Sequence, residues 1–168
     1  MRTEDILIDA FGRIREEVHR VVGDSSEAEL TYRPHPDANT ISWLVWHLTR
    51  VMDNHVCEIA DTEQAWTADG WMDRFGLPFD RRTTGYGHTS EDVGRVQPEA
   101  DLLLGYHDAV QDASVSYLTT IDDDELDRII DTRWDPPVSV GVRLVSVVGD
   151  GMQHVGQAAY IRGLARRS

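Results

Sequence analysis

Two polar residues interrupt an otherwise apolar stretch near the end of the chain, SVVGDGMQHVGQAAYIRGL: Asp150 and His154, four residues apart. On a helix that spacing sets both side chains on one face, about 5–6 Å apart at Cβ. The line Val140, Leu144, Val147, Ala158 and Ile161 runs inward past them. A carboxylate buried on such a line without a partner is costly, so it must be paired, neutralised or bound to a cation. Spacing alone fits an Asp–His hydrogen bond inside a bundle, or a register turned toward solvent, as well as it fits a metal ligand pair.

A second apolar stretch, ISWLVWHLTRVMDNHV, holds His47 and His55. Its stripe centres on Leu48 and Met52, so His55 reads as the more buried histidine and His47 as a boundary residue beside Leu44 and Val51. Either imidazole alone is satisfied as well by a backbone or hydroxyl partner. Taken together, His47, Asp150 and His154 supply two imidazoles and a carboxylate. That donor set suits Zn²⁺ or another borderline divalent ion with positions left for water or substrate. Three protein ligands, not four, mark a reactive site, because the open position lowers the pKa of a bound water or thiol.

Four long segments of helical period must position these groups. They run over about 3–22, 40–60, from just after Pro98 to about 121, and about 138–166. Their apolar faces are Leu7, Phe11, Ile14, Val18 and Val21 in the first and Ile41, Leu44, Leu48, Met52, Val56 and Ile59 in the second. Leu103, Tyr106, Val110, Ala113, Tyr117 and Ile121 form that of the third. The stretch 61–97 is a long connector punctuated by Gly and Pro, yet anchored by Trp66, Trp71, Phe75, Leu77 and Phe79, with short helices expected at 70–75 and 89–96. No alternating strand pattern occurs. An all-α bundle spanning 1–168 as one domain is the expected architecture.

Composition removes several function classes. The net charge of −14 argues against nucleic acid or an anionic membrane as partner. No apolar run reaches the roughly 20 residues of a membrane span. The opening MRTEDILIDAFGRIREEV carries acids within its period and reads as a helix, not a signal peptide, which predicts a cytoplasmic protein. The single cysteine, Cys57, excludes an internal disulfide and reads as a small buried hydrophobe. All 16 basic residues are arginines. No G-x-S-x-G elbow and no glycine-rich phosphate loop is present.

The motifs WLVWHL and QHVGQAAYIRGL, with the inserts GWMDRFGLPFD and TGYGHT, resemble the DinB superfamily of metal-binding helical proteins. The likeness extends to its actinobacterial branch and to the N-terminal domain of mycothiol-dependent maleylpyruvate isomerase. It implies a DinB-like four-helix bundle of up-down-down-up connectivity with a long structured connector between helices two and three. It also implies a metal held by His47, Asp150 and His154, where Asp150 departs from the more usual His or Glu and, on its shorter stem, requires a closer helix. Zn is the first expectation for that metal, with Ni, Mn or Fe as alternatives.

The resemblance further implies a thiol S-transferase. Mycothiol would ionise on the metal and attack a small electrophile held under the connector, with His55 as the catalytic candidate, either supporting a metal ligand from behind or accepting a proton. Arg143 is then a candidate for binding the thiol, as are Tyr86 and His88 of TGYGHT, which otherwise read as a turn into a capped helix. Family members associate as dimers, so a homodimer is an expectation. The alternatives are a metal-dependent isomerase or hydrolase on the same site, and a non-catalytic small-molecule-binding stress protein. Trp43, Trp46, Trp66 and Trp71 read as core or as pocket wall. Arg162 reads as a solvated flank, His107 as locally satisfied beside Tyr106, and His19 and His35 as surface residues.

Overall fold

The computed structural model describes residues 2–167. Helix α1 (Thr3–Val22) buries the expected face of Leu7, Phe11, Ile14, Val18 and Val21 and stops at Gly23. A short α2 (Glu27–Thr31), capped by Ser26 with Glu29 returning the bond, fills the loop that follows. Helix α3 (Ile41–Ala60) starts where the Thr40 hydroxyl oxygen accepts the Trp43 amide at 3.0 Å, and ends at Asp61 in the left-handed region, φ 54°.

The connector carries α4 (Ala65–Ala68), α5 (Trp71–Phe75) and α6 (Ser90–Arg95), the last two where short helices were expected. Helix α7 (Ala100–Leu118) follows, then α8 (Asp123–Asp127) and a small antiparallel hairpin, β1 (Ile129–Asp131) with β2 (Val138–Ser139). Helix α9 (Val140–Ala165) closes the bundle. Two details depart from the sequence expectation. The hairpin supplies strands where none were predicted. On α7 the inward face is Leu103, Tyr106, His107, Val110, Ser114 and Leu118, which leaves Ala113 exposed and Tyr117 half-buried.

Contacts between the long helices fix the directions of the chain. Arg15 on α1 meets Asp108 and Asp112 on α7, while Thr3 meets Asp123 just beyond that helix, so α1 and α7 are antiparallel. Thr49 reaches His107, and Cys57 lines a cavity with Ser114 and Tyr117, so α3 and α7 are parallel. His47 lies by His154 and His55 by Arg143, so α3 and α9 are antiparallel. The order is up-down-down-up.

One continuous apolar core fills the space between the four helices. Close approach of α9 to α1 depends on Gly151, where a Cβ would stand 2.8 Å from Ile14 Cδ1. Among the described residues no helix is long and apolar enough to cross a membrane.

Candidate functional site

His47, from the middle of α3, and Asp150 and His154, one turn apart on α9, converge. One ligand-type atom from each lies within 4.8 Å of the others. The two rings stand 4.7 Å apart at an edge-on angle of 66°. His47 is 7% exposed, while Asp150 and His154 are half-buried. The register is therefore turned inward, not toward solvent.

Hydrogen bonds decide which atoms are free. His47 Nδ1 is 2.6 Å from the Thr84 carbonyl oxygen, and His154 Nδ1 is 2.8 Å from the Asp150 carbonyl oxygen. A carbonyl only accepts, so each ring carries its proton on Nδ1 and presents an Nε2 lone pair. Burial holds His47 below the ordinary histidine pKa, against the opposing pull of the Thr84 carbonyl, which keeps the ring neutral near pH 7. Asp150 Oδ2 is buried with no hydrogen-bond partner. His154 Nδ1 lies 3.5 Å away but is already committed to the backbone. A carboxylate oxygen without a hydrogen-bond partner, close to two imidazoles that each keep one nitrogen free, is a donor set that suits a divalent cation. Two ligands at about 2.1 Å from one tetrahedral ion stand about 3.4 Å apart, so the widest pair of the trio closes by up to about 1.4 Å to share one. The residues fit the group.

The connector completes the surroundings. Gly85 takes φ +99°, and a Cβ there would lie 2.9 Å from His47 Nδ1 and 3.0 Å from the Trp46 ring. Only glycine lets the backbone come this close. Preceding residues are pinned by Arg50, whose Nε donates to the Thr83 carbonyl at 3.1 Å and Nη2 to that of Arg81 at 3.2 Å. Its Nη1 meets Gln64, Tyr106 and, at 3.4 Å, Asp53, and the guanidinium lies 4.8 Å over Trp66. Arg50 is wholly buried and Asp53 nearly so. Asp53 also accepts the Tyr106 hydroxyl and two connector amides, Ala65 and Trp66.

Several sequence expectations are corrected here. His47 is more buried than His55, the reverse of the stripe-based ranking. His55 stands outside the trio, two turns along α3, with Nδ1 3.0 Å from Arg143 Nη1. A guanidinium only donates, so that nitrogen is occupied as an acceptor and the ring proton is on Nε2. His55 is thus arranged as a hydrogen-bond donor and not as a proton acceptor. Tyr86 is 94% exposed, because Gly85 and Gly87, both at positive φ, turn it outward. His88 stays inside: its Nδ1 accepts Trp43 Nε1–H at 3.1 Å and its ring packs on Trp46 and Phe79. It latches the connector, and Trp43 in turn stacks on His47 at 4.6 Å.

Trp46, Trp66 and Trp71 are core residues. Arg162 is no solvated flank; it donates to the Arg20 carbonyl at the end of α1. His107 is fully buried and bonds Thr49 on α3 at 3.0 Å, not a local partner. Cys57 lines a separate cavity of about 410 Å³ between α3, α4 and α7 that shares no residue with the trio, and burial pushes its thiol pKa up to about 11. Thr84 and Arg50 were not anticipated from the sequence, and Gly85 was expected only as a tight-turn residue beside Gly87. The available signals were a glycine pair inside TGYGHT and an arginine in the middle of a buried helix.

Comparison with known proteins gives a concordant result. A family model described as mycothiol-S-transferase matches residues 6–166. The crystal structure of a conserved protein from Enterococcus faecalis is similar throughout, with 30% identity and a TM-score of 0.93 over 100% of this chain and 99% of that one. No functionally curated protein matches.

Proposed function

This chain belongs to the mycothiol-S-transferase family, and we propose that it joins the thiol of mycothiol to small electrophiles at a divalent metal held by His47, Asp150 and His154. The observation that carries the reading is the buried, partnerless Asp150 Oδ2 set against two imidazoles whose free nitrogens are fixed by backbone carbonyls. Two imidazoles and one carboxylate suit Zn²⁺ first, with Ni, Mn or Fe(II) following. Such a cation, when bound, lowers the pKa of a thiol placed on it, so that thiolate is present near neutral pH.

The chain's own residues prepare that site. The Thr84 and Asp150 carbonyls hold both ring protons away from the open face, which fixes the tautomers without a rearrangement on binding. Trp43, stacked on His47, covers one side and excludes water there. The protein needs no nucleophile of its own, and Cys57 is unsuited to the task, being buried and protonated. In the reaction the thiol gives up its proton to solvent, and the cosubstrate sulfur forms the new bond to the electrophilic carbon as that carbon's bond to its leaving group breaks and the leaving group departs with the electron pair.

The test is conjugation of mycothiol to a bimane-type electrophile by the zinc-loaded protein. A rate above the uncatalysed one that is abolished in His154→Ala supports the reading. A rate equal to background overturns it. Metal-dependent turnover of a substrate without any thiol points instead to an isomerase or hydrolase on the same ligands.

A further inference from the structure

Two turns along α3 and α9 from the trio, a cavity of about 800 Å³ that the metal chemistry leaves unused is bordered by His55, Glu58, Asp131, Arg128, Arg133 and Arg143. We propose that it is a subsite for a neutral polyhydroxylated group, namely the sugar–cyclitol end of the thiol cosubstrate; this rests on the thiol-transfer reading of the neighbouring trio.

Position is the first argument. Arg143 precedes Asp150 by seven residues on α9, and His55 follows His47 by eight on α3. The two helices are antiparallel, so both displacements point the same way along the groove, by two turns or about 10–12 Å. A group linked to a cysteine whose thiol sits at the trio would therefore need to extend only that far to enter this cavity. Mycothiol is such a molecule: an acylated cysteine joined by an amide to an amino sugar that carries a cyclitol.

Charge selects the class of ligand. Three guanidiniums face the cavity, but each is already engaged. Arg133 grips Asp131 with two bonds, Nε to Oδ1 at 2.9 Å and Nη2 to Oδ2 at 2.8 Å. Arg128 grips Glu125 in the same way, at 2.8 and 2.7 Å. Arg143 donates to His55 and lies 3.6 Å from Asp131. Arg133 and Arg128 are thus held by Asp131 and Glu125, Arg143 lies between His55 and Asp131, and Glu58 stands 3.8 Å from His55. An anion would have to displace Asp131 from two arginines, and a cation would meet three of them.

What remains is a lining rich in fixed donors and acceptors whose charged groups are mostly already paired. The guanidiniums offer unused N–H groups, the carboxylates offer lone pairs, and His55 offers Nε2–H. A hydroxyl both donates and accepts, so a polyol satisfies the two kinds of group together. Ile59 and Ile130 supply an apolar strip for the C–H face of a ring. The hairpin, absent from any sequence expectation, exists here as the element that brings Asp131 and Arg133 up to Arg143.

The test uses the zinc-loaded protein and two thiols, mycothiol and N-acetylcysteine, which lacks the sugar and the cyclitol. The wild type should favour mycothiol in kcat/KM, and free glucosaminyl-inositol should compete with mycothiol. Arg143→Met and Asp131→Asn should each lower the mycothiol to N-acetylcysteine ratio by about tenfold, the effect of one or two lost hydrogen bonds. Equal kcat/KM for both thiols in the wild type, or an unchanged ratio in both variants, overturns the subsite and leaves thiol transfer standing. If no thiol turns over, calorimetric titration of glucosaminyl-inositol into wild type and into His154→Ala decides separately. Binding to both keeps the subsite while thiol transfer falls, and binding to neither removes the subsite.

Discussion

The Thr84 carbonyl oxygen stands 2.6 Å from Nδ1 of His47, so a residue of the long connector sets the tautomer of a histidine on the second long helix. Helix α3 delivers the ring to the site, but the connector decides which nitrogen points into it.

Gly85→Ala is expected to weaken metal binding. The added Cβ would meet His47 Nδ1 at 2.9 Å on a backbone at φ +99°, so either the Thr84 carbonyl or the ring must move. Loss of such an orienting partner lowers metal affinity by about 10–100-fold, and the strained backbone costs about 1–3 kcal/mol. Zinc titration by calorimetry and urea unfolding read the two effects. Unaltered zinc affinity in a folded variant would show that the Thr84 contact is incidental.

Arg50→Met should be more damaging to stability than any single apolar truncation nearby. It strands Asp53 in the core without its cation, a loss of about 3–5 kcal/mol. It also releases the carbonyls of Arg81 and Thr83. Hydrogen exchange at 81–85 should accelerate ahead of exchange in α1, and Arg50→Lys should restore part of the protection. Uniform exchange across the chain would mean that Arg50 supports the core alone.

Acid should destabilise the metal-free protein through His107. Burial lowers its pKa from 6.5 to about 4 in the fold. A depressed folded value means that the unfolded chain takes up the proton first. The stabilising term is therefore complete above about pH 6.5 and is lost as pH falls toward 4, a change of roughly 3 kcal/mol. Urea unfolding between pH 4 and 7 should show stability falling with pH, with a shallower slope in His107→Gln. Equal slopes would remove His107 as the cause.

Cys57→Ala should keep conjugation activity within about twofold, and native protein should resist alkylation at neutral pH, since a thiol with a pKa near 11 is almost wholly protonated there. Mass spectrometry after iodoacetamide checks this. Rapid modification, or loss of turnover in the variant, would place a protein nucleophile in the reaction.

Much of the molecule was readable from periodicity. The apolar faces of α1 and α3 and the two short connector helices follow from residue types and spacing alone. The convergence of His47 with Asp150 and His154 needed pairing across about a hundred residues, which the donor chemistry suggested and spacing could not. The ranking of His47 and His55 failed for a definite reason. A helical wheel assumes one buried face, whereas every residue from Ile41 to Arg50 is buried, because α7, α9 and the connector together surround that half of α3. The β hairpin escaped notice because its strands are three and two residues long, too short to show alternation. The tilt of α7 was hidden by Ser114 and His107, polar residues that face inward and find partners there.

Anchoring the connector by Arg50, Thr84 and His88 also bears on how cargo comes and goes. A flap that swung open would strip a ligand of its acceptor and pull peptide carbonyls off a dry guanidinium. The segment over His47 is thus tied down as a fixed wall and is not built as a hinged lid.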